Sequence, residues 1–121
     1  MKLGIIGSGM IVHDFLKTAD KINNLELVAI SSTVRSKDIA QELAKQYGIK
    51  KTYTDNKKLM EDPDVNTVYV AVPNFLHYEI AKEALEHGKN VICEKPFVES
   101  TEQAKKLKQL ADEKDLIILE A

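Results

Sequence analysis

The 121 residues predict an α/β fold, a Rossmann-type doubly wound parallel sheet of about six strands, on three observations. Short apolar runs alternate along the whole chain with longer segments whose apolar residues recur at helical spacing. Gly48 and Gly88 each follow a helical run, where a left-handed cap is wanted, and Ser36, Asn74 and Ser100 stand before helical runs as side-chain caps. The chain is 44% apolar and 30% charged and carries no repeat, low-complexity tract or linker, so residues 1–121 are expected to form one domain.

The first strand is Lys2 to Ile6, a run broken by Gly7, and Ile11, Phe15 and Leu16 then mark one face of a helix. A second strand, Leu25 to Ser32, leads to a helix with Ile39, Leu43, Ala44 and Tyr47 inward. The third is weak, Lys51 to Tyr53, and the segment Asp55 to Glu61 before Asp62-Pro63-Asp64 is at most one short helix. Thr67 to Val72 is the fourth, followed by a helix facing inward with Ile80, Ala81, Ala84 and Leu85. Lys89 to Cys93 and Leu116 to Leu119 complete the set, separated by a helix that buries Ala104, Leu107, Leu110 and Ala111.

Charge and composition exclude several partners. Seventeen basic and nineteen acidic residues are interspersed, giving a formal charge of -2, with no concentrated basic face to neutralise a run of phosphates, so no nucleic-acid partner is expected. No stretch approaches the ~20 apolar residues of a membrane helix, and the N-terminus runs into a strand without a cationic leader. With a single cysteine, Cys93, a cytoplasmic location is expected. His13, His77 and His87 do not pair in sequence and there is no thiolate cluster, so no metal site is expected; nor is there a G-x-S-x-G elbow or a Walker lysine.

Gly7-Ser8-Gly9-Met10-Ile11-Val12 lies between the first strand and its helix, the order that dinucleotide binding requires. One glycine permits the tight turn, a second lets backbone approach a pyrophosphate, and the helix start offers unpaired N–H groups. The third fingerprint position, normally small, is Val12. About 20 positions on, where an acidic residue usually accepts from the adenosine ribose, the chain reads Ser31-Ser32-Thr33-Val34-Arg35-Ser36. Hydroxyls and a guanidinium suit a 2′-phosphate better than a bare ribose, so NADP is preferred over NAD, with Ser32, Thr33 and Arg35 around the phosphate. A plainer reading, with Ser32 and Ser36 capping the next helix and Arg35 solvated, stays open.

Two further constellations fall at the carboxyl ends of strands, where open parallel sheets bind ligands: Ala71-Val72-Pro73-Asn74-Phe75-Leu76-His77 and Val91-Ile92-Cys93-Glu94-Lys95-Pro96. Taken with the glycine turn, they resemble the glucose-fructose oxidoreductase, inositol dehydrogenase and MocA (Gfo/Idh/MocA) family of NAD(P)-dependent oxidoreductases. The resemblance runs from Met1 to Ala121 and rests on intact Pro-Asn-x-x-His and Glu-Lys-Pro motifs.

The resemblance implies a hydride transfer between NAD(P) and a hydroxyl or carbonyl carbon of a sugar, polyol or related compound. It places Gly7, Ser8, Gly9, Met10, Ile11, Val72, Pro73, Asn74, His77, Glu94 and Lys95 at the cofactor. Lys95 is the catalytic candidate, an ammonium that orients substrate and stabilises charge developing on oxygen. A cis Lys95–Pro96 bond is also implied, while Cys93 reads as a buried hydrophobe. In the family a second, C-terminal substrate domain carries a catalytic histidine and the main subunit interface. That domain is expected to be absent here, leaving a fragment that binds cofactor without turnover and exposes apolar surface near its last strand. The competing readings are a non-catalytic dinucleotide sensor, which need not keep Lys95 available, and a methyltransferase, whose adenosyl cofactor also uses a glycine-rich turn.

Overall fold

In the computed structural model, which describes residues 1–96 and 98–121, strand β1 (Lys2–Ile6) lies in the middle of a six-stranded sheet because both its edges are paired with apolar neighbours. After α1 (Met10–Thr18) comes β2 (Glu26–Ser31), then α2 (Lys37–Tyr47) and the short β3 (Lys51–Tyr53). The second half runs α3 (Asn56–Glu61), β4 (Thr67–Val70), α4 (His77–Glu86), β5 (Asn90–Cys93), α5 (Thr101–Glu113) and β6 (Ile118–Glu120). The order across the sheet is β3-β2-β1-β4-β5-β6, every pairing parallel. The direction of winding therefore reverses between β1 and β4, and the crevice beyond their carboxyl ends is where such a sheet binds its ligand.

Strand residues alternate between two cores. Leu3, Ile5 and Ile30 pack with Val12 and Leu16 of α1 and Ala40, Leu43 and Ala44 of α2. On the other face Ile6, Val68, Val70 and Val91 meet Leu59 and Met60 of α3, Ile80 and Leu85 of α4, and Leu107 of α5. Each fully buried Leu or Ile contributes about 1.5–3 kcal/mol relative to an exposed one. Val12, at the position usually occupied by a small residue, is fully buried, so α1 meets the sheet through a valine rather than through close backbone contact.

Several local expectations need correction. Ile39 is 48% exposed, because Ala40, Leu43 and Ala44 form the inward stripe and Ile39 lies a hundred-degree step away from it. Ser36 occupies the cap position of α2, but its backbone is in a turn conformation and its hydroxyl makes no cap bond. Asn74 lies inside a short helical turn, Asn74–Leu76, and α4 starts only at His77 with no side-chain cap at either boundary. Ser100 does cap α5, accepting from the Gln103 N–H at 3.1 Å, and Gly48 ends α2 at φ 70°. The last strand begins at Ile118 rather than Leu116, because the Leu116 N–H closes α5 by donating to the Ala111 carbonyl. Ile117 and Leu119 are 61% and 56% exposed, the apolar surface expected beside this strand.

At the end of the sheet opposite the crevice, a buried carboxylate secures the approach to β4. Asp62 accepts from Lys51 Nζ at 2.9 and 3.1 Å, from the Tyr53 hydroxyl at 2.9 Å and from the Asp64 N–H at 2.9 Å. Lys89 Nζ donates to the carbonyls of Asp62 and Val65 at 3.0 and 2.6 Å. Burial alone raises the Asp62 pKa, but the donors outweigh it and hold the carboxyl below its usual value. A carboxyl with a depressed folded pKa stabilises fully above its unfolded value of about 3.9, and the contribution is lost as pH falls through the folded pKa. Thermal unfolding of the wild type and of Asp62→Asn should therefore differ by a constant amount near neutrality and converge below about pH 4. A difference that persisted undiminished at pH 2 would exclude this account.

Candidate functional site

Gly7 forms the floor of the crevice. Its N–H donates to the Ser31 carbonyl at 2.9 Å, and a Cβ added to it would lie 2.1 Å from the Ala71 carbonyl oxygen. With φ at 124°, this position admits only glycine. Gly9, two residues on, caps α1 with extended backbone, and an added Cβ there would meet nothing within 4 Å. The chain thus closes tightly on strands β2 and β4 through Gly7 and leaves open space over the first turn of α1 through Gly9. That space fits a pyrophosphate, to which the unpaired N–H groups of a helix start can donate.

A cleft of about 960 Å³ opens above this turn. Of the sequence-derived candidates, Gly7, Ser8, Gly9, Met10, Ile11, Ser32, Thr33, Val72 and Pro73 line it. The cleft also takes in residues that sequence reasoning did not single out, notably Thr54, Asp55, Asn56 and Lys57 after β3, and Leu76, Ile80 and Glu83 on α4. The third strand end was a signal for the first group, since ligands gather at strand ends in such sheets. Arg35 and Asn74 are exposed and do not line the cleft.

His77 is 1% exposed and also stays out of the cleft lining. Its Nδ1 lies 2.8 Å from the Pro96 carbonyl and its Nε2 2.8 Å from the Val72 carbonyl. The ring therefore links the loop after β4 to the loop after β5. Those loops are neighbours because Val70 is opposite Cys93 and the Glu94 N–H donates to the Val70 carbonyl at 3.0 Å.

The Glu-Lys-Pro segment divides its side chains. Glu94 turns toward the α1 side of the sheet and accepts from the Tyr69 hydroxyl, whose ring packs on Phe15 at a centroid distance of 4.8 Å. Burial, reinforced by the Glu94 carboxylate, pushes the Tyr69 hydroxyl well above its usual pKa, so it stays a donor. Lys95 is exposed and, like Glu94, does not line the cleft; His77 ties its loop to the Val72 carbonyl, and its bond to Pro96 is cis. Cys93 is fully buried, and burial followed by the Glu94 and Glu120 charges pushes its thiol up to about 12, which removes it as a nucleophile. Among the described residues no group of three or more His, Cys, Asp or Glu could hold a metal ion, and no helix is long and apolar enough to cross a membrane.

A parallel sheet wound as β3-β2-β1-β4-β5-β6, with a glycine turn opening onto its switch point, defines a Rossmann-type dinucleotide-binding domain. The family model described as "Oxidoreductase family, NAD-binding Rossmann fold" matches residues 1–121, and the chain belongs to this Gfo/Idh/MocA family. It is 38% identical over 132 aligned residues to the D-xylose 1-dehydrogenase (NADP(+)) of Hypocrea jecorina, covering all of this chain and 34% of that protein. The scyllo-inositol 2-dehydrogenase (NADP(+)) IolU of Bacillus subtilis is 32% identical, with 100% and 36% covered. Among solved structures, the 3-ketoreductase KijD10 of Actinomadura kijaniata in complex with TDP-benzene and NADP superposes with a TM-score of 0.90. It is 33% identical over 98% of this chain and 37% of that one. The chain thus spans about a third of the length of the relatives it matches.

Proposed function

We propose that this chain is the cofactor-binding part of an oxidoreductase that transfers hydride between NADP(H) and a hydroxyl or carbonyl carbon of a sugar, polyol or similar compound, with NAD(H) the second choice. The observation that carries it is the convergence of the glycine turn, the Val72–Pro73 wall and the Glu94-Lys95-Pro96 loop at neighbouring strand ends. The nicotinamide, when bound, supplies the hydride acceptor or donor. Lys95 holds the substrate oxygen and stabilises the charge that develops there. Glu94 and His77 act through the loops they tether. The preference for NADP rests on the hydroxyls of Ser32 and Thr33 and the absence of an acidic residue at the second strand's tip. The names of the xylose and inositol relatives point the same way.

The intact protein is proposed to be a cytoplasmic homo-oligomer that assembles through a further domain, an environment that suits the unoxidised thiol of Cys93. Two measurements test the reading. Calorimetry of the 121-residue chain should show NADP(H) binding and a thermal transition raised by ligand, worth about 2.7 kcal/mol at a hundredfold excess over Kd. Binding of adenosylmethionine without any nicotinamide dinucleotide would overturn it. Nicotinamide absorbance should then report turnover by the intact gene product on a sugar and polyol panel and none by the 121-residue chain alone; an intact protein inert on the whole panel would favour a sensor.

A further inference from the structure

We infer that Lys57, rather than Arg35, supplies the cation that selects a dinucleotide phosphorylated on the adenosine 2′-oxygen. This rests on the dinucleotide reading above. The tip of β2 puts Ser31, Ser32 and Thr33 in the cleft's lining, where the Ser32 hydroxyl donates to the Thr33 carbonyl at 2.9 Å and Thr33 is exposed. Arg35 is exposed but outside the lining, and Lys57 is the lysine within it.

The turn that carries Lys57 is tied to that tip. Ser31 Oγ donates to Asn56 Oδ1 at 2.7 Å, and the Asp55 carboxylate accepts from the Lys57 N–H at 3.0 Å. These two bonds set the backbone beside Ser32 and Thr33 while the ammonium stays exposed, and Lys57 joins none of the ion pairs among the described residues. The neighbouring donors complete an anion site. Thr33 Oγ1 accepts from the Ser36 N–H at 3.2 Å, which leaves its own hydrogen to donate. With Asn56 Oδ1 taken by Ser31, the side-chain NH2 of this cleft-lining residue is what it has to offer as a second donor.

Asp55 also lines this end of the cleft, and a carboxylate there favours a free ribose hydroxyl over a dianion. Lys57 compensates it. The lysine thereby decides which adenosine is accepted, since removing it leaves Asp55 to repel a 2′-phosphate and costs a plain ribose nothing. Lys37, the other lysine near Ser32, lines a separate polar cavity between α2 and β3.

Titration calorimetry with two ligand pairs, NADP against NAD and adenosine 2′,5′-bisphosphate against AMP, tests the assignment on the 121-residue chain. Lys57→Ala should weaken the 2′-phosphorylated member of each pair by about tenfold or more and leave its partner within about twofold, while Lys57→Arg retains the preference. Equal weakening of both members, or a selective loss that follows Arg35→Ala or Lys37→Ala instead, would overturn the assignment with the NADP preference intact. A wild type that favours NAD and AMP would overturn the cofactor preference and this inference with it. Binding of none of the four ligands would remove the dinucleotide reading as well.

Discussion

Replacing Lys95 with alanine in the intact protein is expected to lower kcat by roughly 100- to 1000-fold, the scale on which loss of one donor to a developing oxyanion is felt. The expectation follows from where the structure holds this lysine. Glu94, its neighbour, is committed to the Tyr69 hydroxyl on the α1 side, so it does not neutralise the ammonium from within the cleft. Lys95 itself is exposed, and the His77 ring couples the Val72 carbonyl of the cleft wall to the Pro96 carbonyl of the Lys95–Pro96 loop. Because the glycine turn and the β2 tip line the cleft and Lys95 does not, dinucleotide affinity should fall much less than kcat. Steady-state kinetics of the intact protein, paired with dinucleotide titration of the variant, separates the two effects. Undiminished turnover would remove Lys95 from the chemistry, whereas parallel losses in affinity and kcat would make it a cofactor ligand only.

A second large effect is expected at Gly7. Alanine there must accept a backbone conformation near φ 124° and a Cβ 2.1 Å from the Ala71 carbonyl oxygen, a contact that only movement of a strand end can relieve. Strain of this kind costs about 1–3 kcal/mol and the forced displacement a similar amount, against a total of about 5–15 kcal/mol for a domain. Gly7→Ala should therefore lower the melting temperature by on the order of 10 °C and abolish dinucleotide binding, because the β1–β2 bond through the Gly7 N–H and the turn above it shift together. Gly9→Ala forms the contrast. Its Cβ meets nothing within 4 Å, so the domain should stay as stable while binding weakens, the added methyl standing in the space proposed for the pyrophosphate. Scanning calorimetry with and without NADP distinguishes the two, and equal stability of wild type and Gly7→Ala would refute the steric argument.

Most of the fold was legible because its determinants are local. Strand length, helical spacing and the glycines at helix ends are written within ten or fifteen residues of one another, and each of the six strands lies within about two residues of its expected place. The departures occurred where a distant partner or a backbone angle intervened. The start of β6 was delayed by the bond from Leu116 back to Ala111, and the hydroxyl of Ser36 was turned from its helix by the conformation of the loop before it.

The same division holds for the site. By itself the sequence determined the class of protein: a dinucleotide turn between a strand and a helix, with two motifs at later strand ends, because motif chemistry depends on residue type and spacing along the chain. Only the tertiary structure decided which side chains share the cleft. It brought Thr54 through Lys57 alongside Ser32 and Thr33, left Arg35 exposed and out of the lining, and set His77 between two carbonyls. Those assignments depend on strand order and on the direction of each side chain, which parallel pairing across long crossovers fixes only when the whole sheet has formed.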